Sequence, residues 1–139
     1  MEPFFWKQSY ETGLKQIDRD HHTILELANT LYNAIQSDTG RTTVLQSCQK
    51  IVDFTEEHFG REEKYMEASG YSRIEEHKLE HDRLKDEARQ LLLRLELDSP
   101  GSATGIYHVL REMFIEHIPQ YDQPFGAFYL SRGKEQPQG

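Results

Sequence analysis

The stretch IEEHKLEHDRLKDEARQLLLRL, residues 74–95, decides the fold. Ile74, His77, His81, Leu84, Ala88, Leu91 and Leu95 recur at intervals of three and four, the period of a helix that buries one face. Glu75, Glu76, Lys78, Glu80 and Asp82 fall between them and suit a solvated face. The two histidines are out of place on the apolar stripe, because a buried imidazole must find a polar partner.

The same period flanks this stretch on both sides. Val44, Cys48, Ile51, Thr55, His58, Glu62 and Tyr65 predict a helix ending near Gly70. Earlier, His21, Ile24, Leu25, Ala28, Tyr32 and Ile35 predict one from Arg19 to about Ser37, followed by a turn at Ser37-Asp38-Thr39-Gly40. Later, Asp98-Ser99-Pro100-Gly101 ends the helix of residues 74–95, and Ile106, Leu110, Met113 and His117 form a fourth stripe. Pro119 is expected to interrupt that stripe within a turn, since proline lacks the N–H and its ring clashes with the preceding turn. No segment alternates with period two over a strand's length. The expected fold is all-α: an antiparallel up-down four-helix bundle over residues 19–130, an extended N-terminal arm over 1–18 and a flexible polar tail over 131–139. The arm's Phe4, Phe5, Trp6 and Tyr10 are expected to pack on the bundle.

At 139 residues the chain matches one domain of ~100–150 residues. Leu, Ile, Val and Phe make up about 23% of it, just above the ~20% below which charged chains tend to disorder. The longest apolar runs are only a few residues, far short of the ~20 residues of a spanning helix, so no membrane insertion and no export signal are expected. A net charge of -8 disfavours nucleic acid as a partner. Cys48 is the single cysteine, which rules out an intrachain disulfide and suits a reducing compartment, so a cytoplasmic location is expected. The lack of an output domain argues against a built-in sensor.

Each predicted helix carries histidine on its apolar stripe: His21, then His58, then His77 with His81, then His117. Glu62 lies one turn after His58, about 40° away on the helical wheel, and Asp122 follows His117 by five residues. One core histidine is ordinarily a hydrogen-bonded residue, but five converging in one small bundle point to metal, and the i, i+4 pair His77 and His81 can grip a transition ion. His108, about 180° from His117, is expected to face water, and His22 to be solvated or to support His21. Glu63, Glu75, Glu76 and Glu80 read as solvated charges. Residues 77–81 also fit the H-x-x-E-H pattern of a zinc peptidase with Glu80 as base, a reading that leaves His21, His58, Glu62, His117 and Asp122 unexplained.

Two six-coordinate ions offer twelve positions; five imidazoles, two bridging carboxylates and one bridging oxygen leave a single vacancy, suited to a small ligand of dioxygen size. Imidazole and carboxylate without thiolate suit a bridged pair of irons, while zinc and manganese stay open on ligand type alone. Predominantly neutral imidazoles favour reversible redox over attack on C–H bonds.

These residues resemble the hemerythrin family, specifically single-domain bacteriohemerythrins, over about residues 6–130. The resemblance rests on Trp6, Thr12-Gly13, Ile17-Asp18-Arg19-Asp20-His21, His58-Phe59-Gly60-Arg61-Glu62-Glu63 with Met66, the His77 and His81 pair, and His117-Ile118 with Asp122. It implies two iron ions bridged by oxo or hydroxo, Glu62 and Asp122, one iron held by His77, His81 and His117 and the other by His21 and His58, with the vacancy on the latter. It implies reversible dioxygen binding for storage, delivery or scavenging, by an oxygen-binding protein rather than a catalyst. Met113 and Phe114 stand where the family has a Trp-Leu pair, and Phe114 is expected to sit over the vacant position, with both lining the ligand pocket. Pro119 and Pro124 also depart from the family's pattern. The alternatives are a di-iron enzyme acting on peroxide, nitric oxide or nitrite, and an iron-handling or regulatory protein for which outward-facing Leu79, Leu93 and Ile115 would mark a contact surface.

Overall fold

The computed structural model describes residues 2–37, 40–97 and 101–132. After a short turn at Gln8–Tyr10, the described residues form helices α1 (Lys15–Gln36), α2 (Arg41–Ser69), α3 (Ile74–Glu96) and α4 (Ser102–Glu112). A π-helical segment, Met113–Asp122, then runs into α5 (Gln123–Ser131). Each helix packs on the next in sequence and α1 closes against α4, which gives the antiparallel four-helix bundle. Parts of the two predicted turns, residues 38–39 and 98–100, and the tail from 133 onward lie outside the described residues.

Helix α1 starts at Lys15, four residues before the apolar stripe suggests, because Asp18 builds its entrance. The Asp18 carboxylate accepts from the Thr12 N–H at 2.8 Å, the Thr12 hydroxyl at 2.9 Å and the Gly13 N–H at 3.2 Å. Helix α2 stops where expected: Gly70 takes φ 70°, and the N–H groups of Gly70 and Tyr71 close on Glu67 and Met66 carbonyls.

The fourth helix departs from expectation, since Pro119 does not interrupt it. The backbone runs on through Pro119 with π winding, in which each N–H bonds five residues back, as Gln123 does to Ile118. In an α-helix an interior proline costs about 3 kcal/mol, through a lost bond and a clash with the carbonyl four residues earlier. The wider π turn bonds five rather than four residues back and accommodates the proline inside the helix.

The core divides into levels along the bundle, met in reversed order from one helix to the next, as antiparallel neighbours require. One apolar cluster gathers Leu14, Ile17, Met66, Tyr71 and Phe125; the larger one includes Ile24, Leu31, Ile51, Phe59, Leu84, Tyr107 and Phe114. The buried polar residues His21, His58, Glu62, His77, His81, His117 and Asp122 lie where the two clusters meet, with Phe59 and Ile118 of the larger cluster beside His58 and His117, and all seven are 0–1% exposed.

The arm closes the larger cluster. Asn29 clamps Phe4 by accepting from its N–H at 2.6 Å and donating to its carbonyl at 2.8 Å. Phe4 packs on Tyr107 and Phe114, Tyr10 on Phe114, and Trp6 stacks on His22 at 3.5 Å, whereas Phe5 stays exposed. At the other end, the Thr12 backbone crosses Gly126 so closely that a Cβ there would lie 2.3 Å from the Thr12 carbonyl oxygen.

Candidate metal centre

The site draws side chains from all four helices of the bundle: His21 from α1, His58 and Glu62 from α2, His77 and His81 from α3, and His117 and Asp122 from the π segment. Within an α-helix, residues four apart nearly eclipse, so His58 with Glu62 and His77 with His81 need no distortion. A five-residue step would leave Asp122 about 140° from His117 in α winding, whereas i→i+5 winding returns it to the same face. The π segment is therefore what brings Asp122 to the site.

The donors fall into two groups. Glu62, His77, His81, His117 and Asp122 form one and His21, His58, Glu62 and Asp122 the other, so the two carboxylates are common to both. Glu62 Oε1 is 3.0 Å from Nε2 of both His77 and His81. Asp122 Oδ1 is 2.9 Å from His77 Nε2 and 3.1 Å from His117 Nε2, and its Oδ2 is 3.1 Å from His21 Nε2. His21 and His58 face each other, Nε2 to Nε2, at 3.1 Å.

These contacts are poorly satisfied as hydrogen bonds. Both Glu62 oxygens, Asp122 Oδ2 and Nε2 of His81 and His117 are buried without a hydrogen-bond partner, although neighbouring donors lie at about contact distance. Such orphaned polar atoms are costly unless something else binds them. Donors at right angles around an ion with bonds of about 2.1 Å would lie about 3.0 Å apart, which is the spacing found here. The residues present fit a pair of cations that share two carboxylates.

Two further carboxylates orient imidazoles from outside. His58 Nδ1–H donates to Asp20 at 2.9 Å, and His81 Nδ1–H donates to Glu63 at 2.8 Å. A proton fixed on Nδ1 leaves Nε2 with its lone pair free toward the centre. Glu63 thus corrects the expectation of a solvated charge, and Asp20 is a residue the stripe pattern missed. The sequence offered only an acid immediately before His21; that it meets His58 and Arg61 of α2 is seen in the folded bundle. His81 also stacks on Phe59 at 3.9 Å and His117 on Tyr121 at 5.2 Å.

The electrostatics follow from burial and proximity. Burial and the neighbouring Asp122 push the Glu62 carboxyl up, but the His77 and His81 imidazoles pull it down to about 2. Asp122 is held well below the usual carboxylate range, since His117, His21 and His77 together outweigh burial. Burial presses His77 toward neutrality, yet Glu62 and Asp122 raise it to about 10. His58 goes the other way: burial lowers it more than Asp20 raises it. Burial raises Asp20 as well, but the hydrogen bonds from His58 and Arg61 leave it below its ordinary value.

Of the other sequence candidates, His108 and His22 are exposed, as are Leu79, Leu93 and Ile115. Phe114 and Met113 are buried but face different ways. Phe114 lies against the rings of Phe4 and Tyr10, while Met113 lines an apolar cleft with Ile51, Val52, Phe59, Leu84 and Ile106. That cleft has room for about one water molecule, about 20 Å³.

A family model described as the hemerythrin HHE cation-binding domain matches residues 12–127. The bacteriohemerythrin of Methylococcus capsulatus is 25% identical over 117 residues, 84% of this chain and 88% of that one. That of Clostridium acetobutylicum is 32% identical over 82 residues, 57% of this chain and 64% of that one, so that match spans less than two thirds of the relative's length. In a crystal structure of wild-type hemerythrin the same bundle recurs, with a TM-score of 0.82 at 24% identity over 91% of this chain and 97% of that one. With the family model matched across all four helices of the bundle, the chain belongs to the hemerythrin family.

Proposed function

We propose that this protein binds dioxygen reversibly at two iron ions held by His21, His58, Glu62, His77, His81, His117 and Asp122. The observation that carries the reading is the division of these buried donors into a three-histidine and a two-histidine group that share both carboxylates. Glu62 and Asp122 would bridge the ions together with an oxo or hydroxo group. An unequal histidine count leaves one half of the pair a ligand short, so a pair of irons there supplies one open position for a small ligand.

The chain's own contribution is threefold. Asp20 and Glu63 hold the His58 and His81 rings with Nε2 inward. The shared carboxylates stay ionised beside the imidazoles, supplying the negative charge that a cation pair needs. Apolar residues including Phe59 and Phe114 close the larger cluster around the site and limit entry of water and anions, which favours release of the ligand unchanged. No helix of the described residues is long and apolar enough to cross a membrane. A cytoplasmic location fits this reading.

Metal analysis with an anaerobic oxygen titration followed by optical spectroscopy tests it. About two irons per chain and a reversible spectral change are expected. His21→Ala and Glu62→Ala should lower the iron content while His108→Ala leaves it intact, since His108 is exposed. Equal iron loss in all three variants would overturn the assignment, and steady turnover of peroxide or nitric oxide would show an enzyme instead.

A further inference from the structure

We infer that Arg61 is a positioning residue that weakens the hold of Asp20 on His58, so that the two-histidine half of the site binds a divalent metal less tightly than its histidine count alone dictates. The inference rests on the metal-binding reading above.

The carboxylate behind His58 is shared three ways. Asp20 Oδ2 accepts both the His58 Nδ1–H and the Arg61 Nε–H, each at 2.9 Å, and Oδ1 accepts from the Gln16 amide at 3.0 Å. The carboxylate behind His81 is differently placed. Glu63 accepts from His81 Nδ1–H at 2.8 Å, and no arginine or lysine pairs with it among the described residues. Lys78, the nearby cation, instead pairs with Glu67 at 2.9 Å.

A carboxylate that pulls on the Nδ1 proton makes Nε2 a better donor to a metal. Asp20 has part of its charge neutralised by Arg61 and one oxygen engaged by the Gln16 amide, so its pull on His58 is smaller than that of Glu63 on His81. Arg61 can exert this effect because it is only partly solvated. Its guanidinium lies 5.4 Å from the centre of the Phe54 ring, its side chain is 35% exposed, and the Asp20 side chain is 4% exposed, so water screens the contact less than at an open surface. The chain Arg61, Asp20, His58 carries a partly solvated charge to a nitrogen at the centre of the bundle. The two halves thus differ in the basicity of their histidines as well as in their number.

The test reloads metal-stripped protein with zinc against a competing chelator, then measures the midpoint potential of the iron-loaded form. Wild type is expected to take up zinc in two unequal steps. Arg61→Met, which keeps an apolar stem over Phe54, should tighten the weaker step several-fold, leave the stronger step unchanged and lower the potential. Arg61→Lys should restore wild-type values, and Asp20→Asn should weaken the same step by about 10–100-fold. Helical content by circular dichroism guards against simple unfolding. Two zinc steps that Arg61→Met leaves alone, or shifts equally, overturn this inference and leave the metal reading standing. A wild-type protein that takes up no zinc and no iron overturns both.

Discussion

Helix α2 and the fourth helix do the same job by different windings. Each supplies one histidine and one carboxylate, but His58 and Glu62 are four residues apart on regular α-helix whereas His117 and Asp122 are five apart on a π turn. Four residues bring two side chains to within about 40° in α winding, so α2 keeps its ordinary bonding. Five residues do not, and the fourth helix adopts the rarer winding to deliver Asp122. The difference teaches that donor spacing can dictate backbone geometry. The π turn depends on tertiary contacts that α2 can do without.

The largest test of that contrast is to strip the metal. The melting temperature is expected to fall by on the order of 10 °C or more, because seven buried polar groups lose the partner that offset their burial. Amide exchange should then accelerate more across residues 117–122 than across 58–62. Equal loss of protection in the two segments would mean that the π turn does not lean on the site.

Next in size are the two rings on these helices, Phe59 and Phe114, both 0–1% exposed. Truncation of either to alanine should cost about 3–5 kcal/mol, measured by denaturant unfolding. Phe59→Ala should also reduce iron retention, since that ring stacks on His81. Phe114→Ala should keep the iron and speed azide binding by opening the apolar wall. Matching iron loss in both variants, or azide kinetics unmoved in Phe114→Ala, would remove the distinction between a ring that holds a ligand histidine and one that limits access.

A subtler effect concerns pH. His77, raised from 6.5 to about 10 by Glu62 of α2 and Asp122 of the π segment, stabilises the metal-free fold fully below 6.5, and that stabilisation is lost as pH rises through 10. Glu62, lowered from 4.5 to about 2, stabilises it above 4.5, and that contribution is lost as pH falls through 2. The metal-free protein should therefore be most stable between 4.5 and 6.5. Metal needs neutral imidazoles, so the melting gap between loaded and stripped protein should widen from about pH 6 to pH 9. A gap that narrows over this range would contradict the pairing of imidazoles with the shared carboxylates.

The smallest expected change separates spacing from proline as the cause of the π turn. Pro119→Ala should alter stability by under about 1 kcal/mol and leave the iron content as it was, since the five-residue spacing remains. Iron loss on this substitution would show that the proline sets the winding.

The bundle was legible because its stripes have an unmistakable helical period, and the five histidines were legible because they stood on those stripes. Pro119 was misread for a definite reason: the wheel assumes α winding, and under that assumption the proline must break the helix. Glu63 and Asp20 escaped for another. A wheel measures the angle to a helix's own stripe, about 140° for Glu63, and carries nothing about where a neighbouring helix lies. Glu63 points to His81 on α3, and Asp20 meets His58 and Arg61 on α2.

The clasp of the arm has a consequence for the order of events during synthesis. Glu2 is held by the Tyr107 hydroxyl, 105 residues later, and the Glu11 carbonyl accepts from the Gln123 side chain, 112 residues later. At about 5–20 residues per second, a ribosome needs roughly 5–20 s to make the partners of a segment it has already released. The arm emerges before the bundle and cannot complete its docking until Tyr107 and Gln123 have been made. Until it does, the faces of Tyr107 and Phe114 that Phe4 covers in the folded protein stay open to solvent.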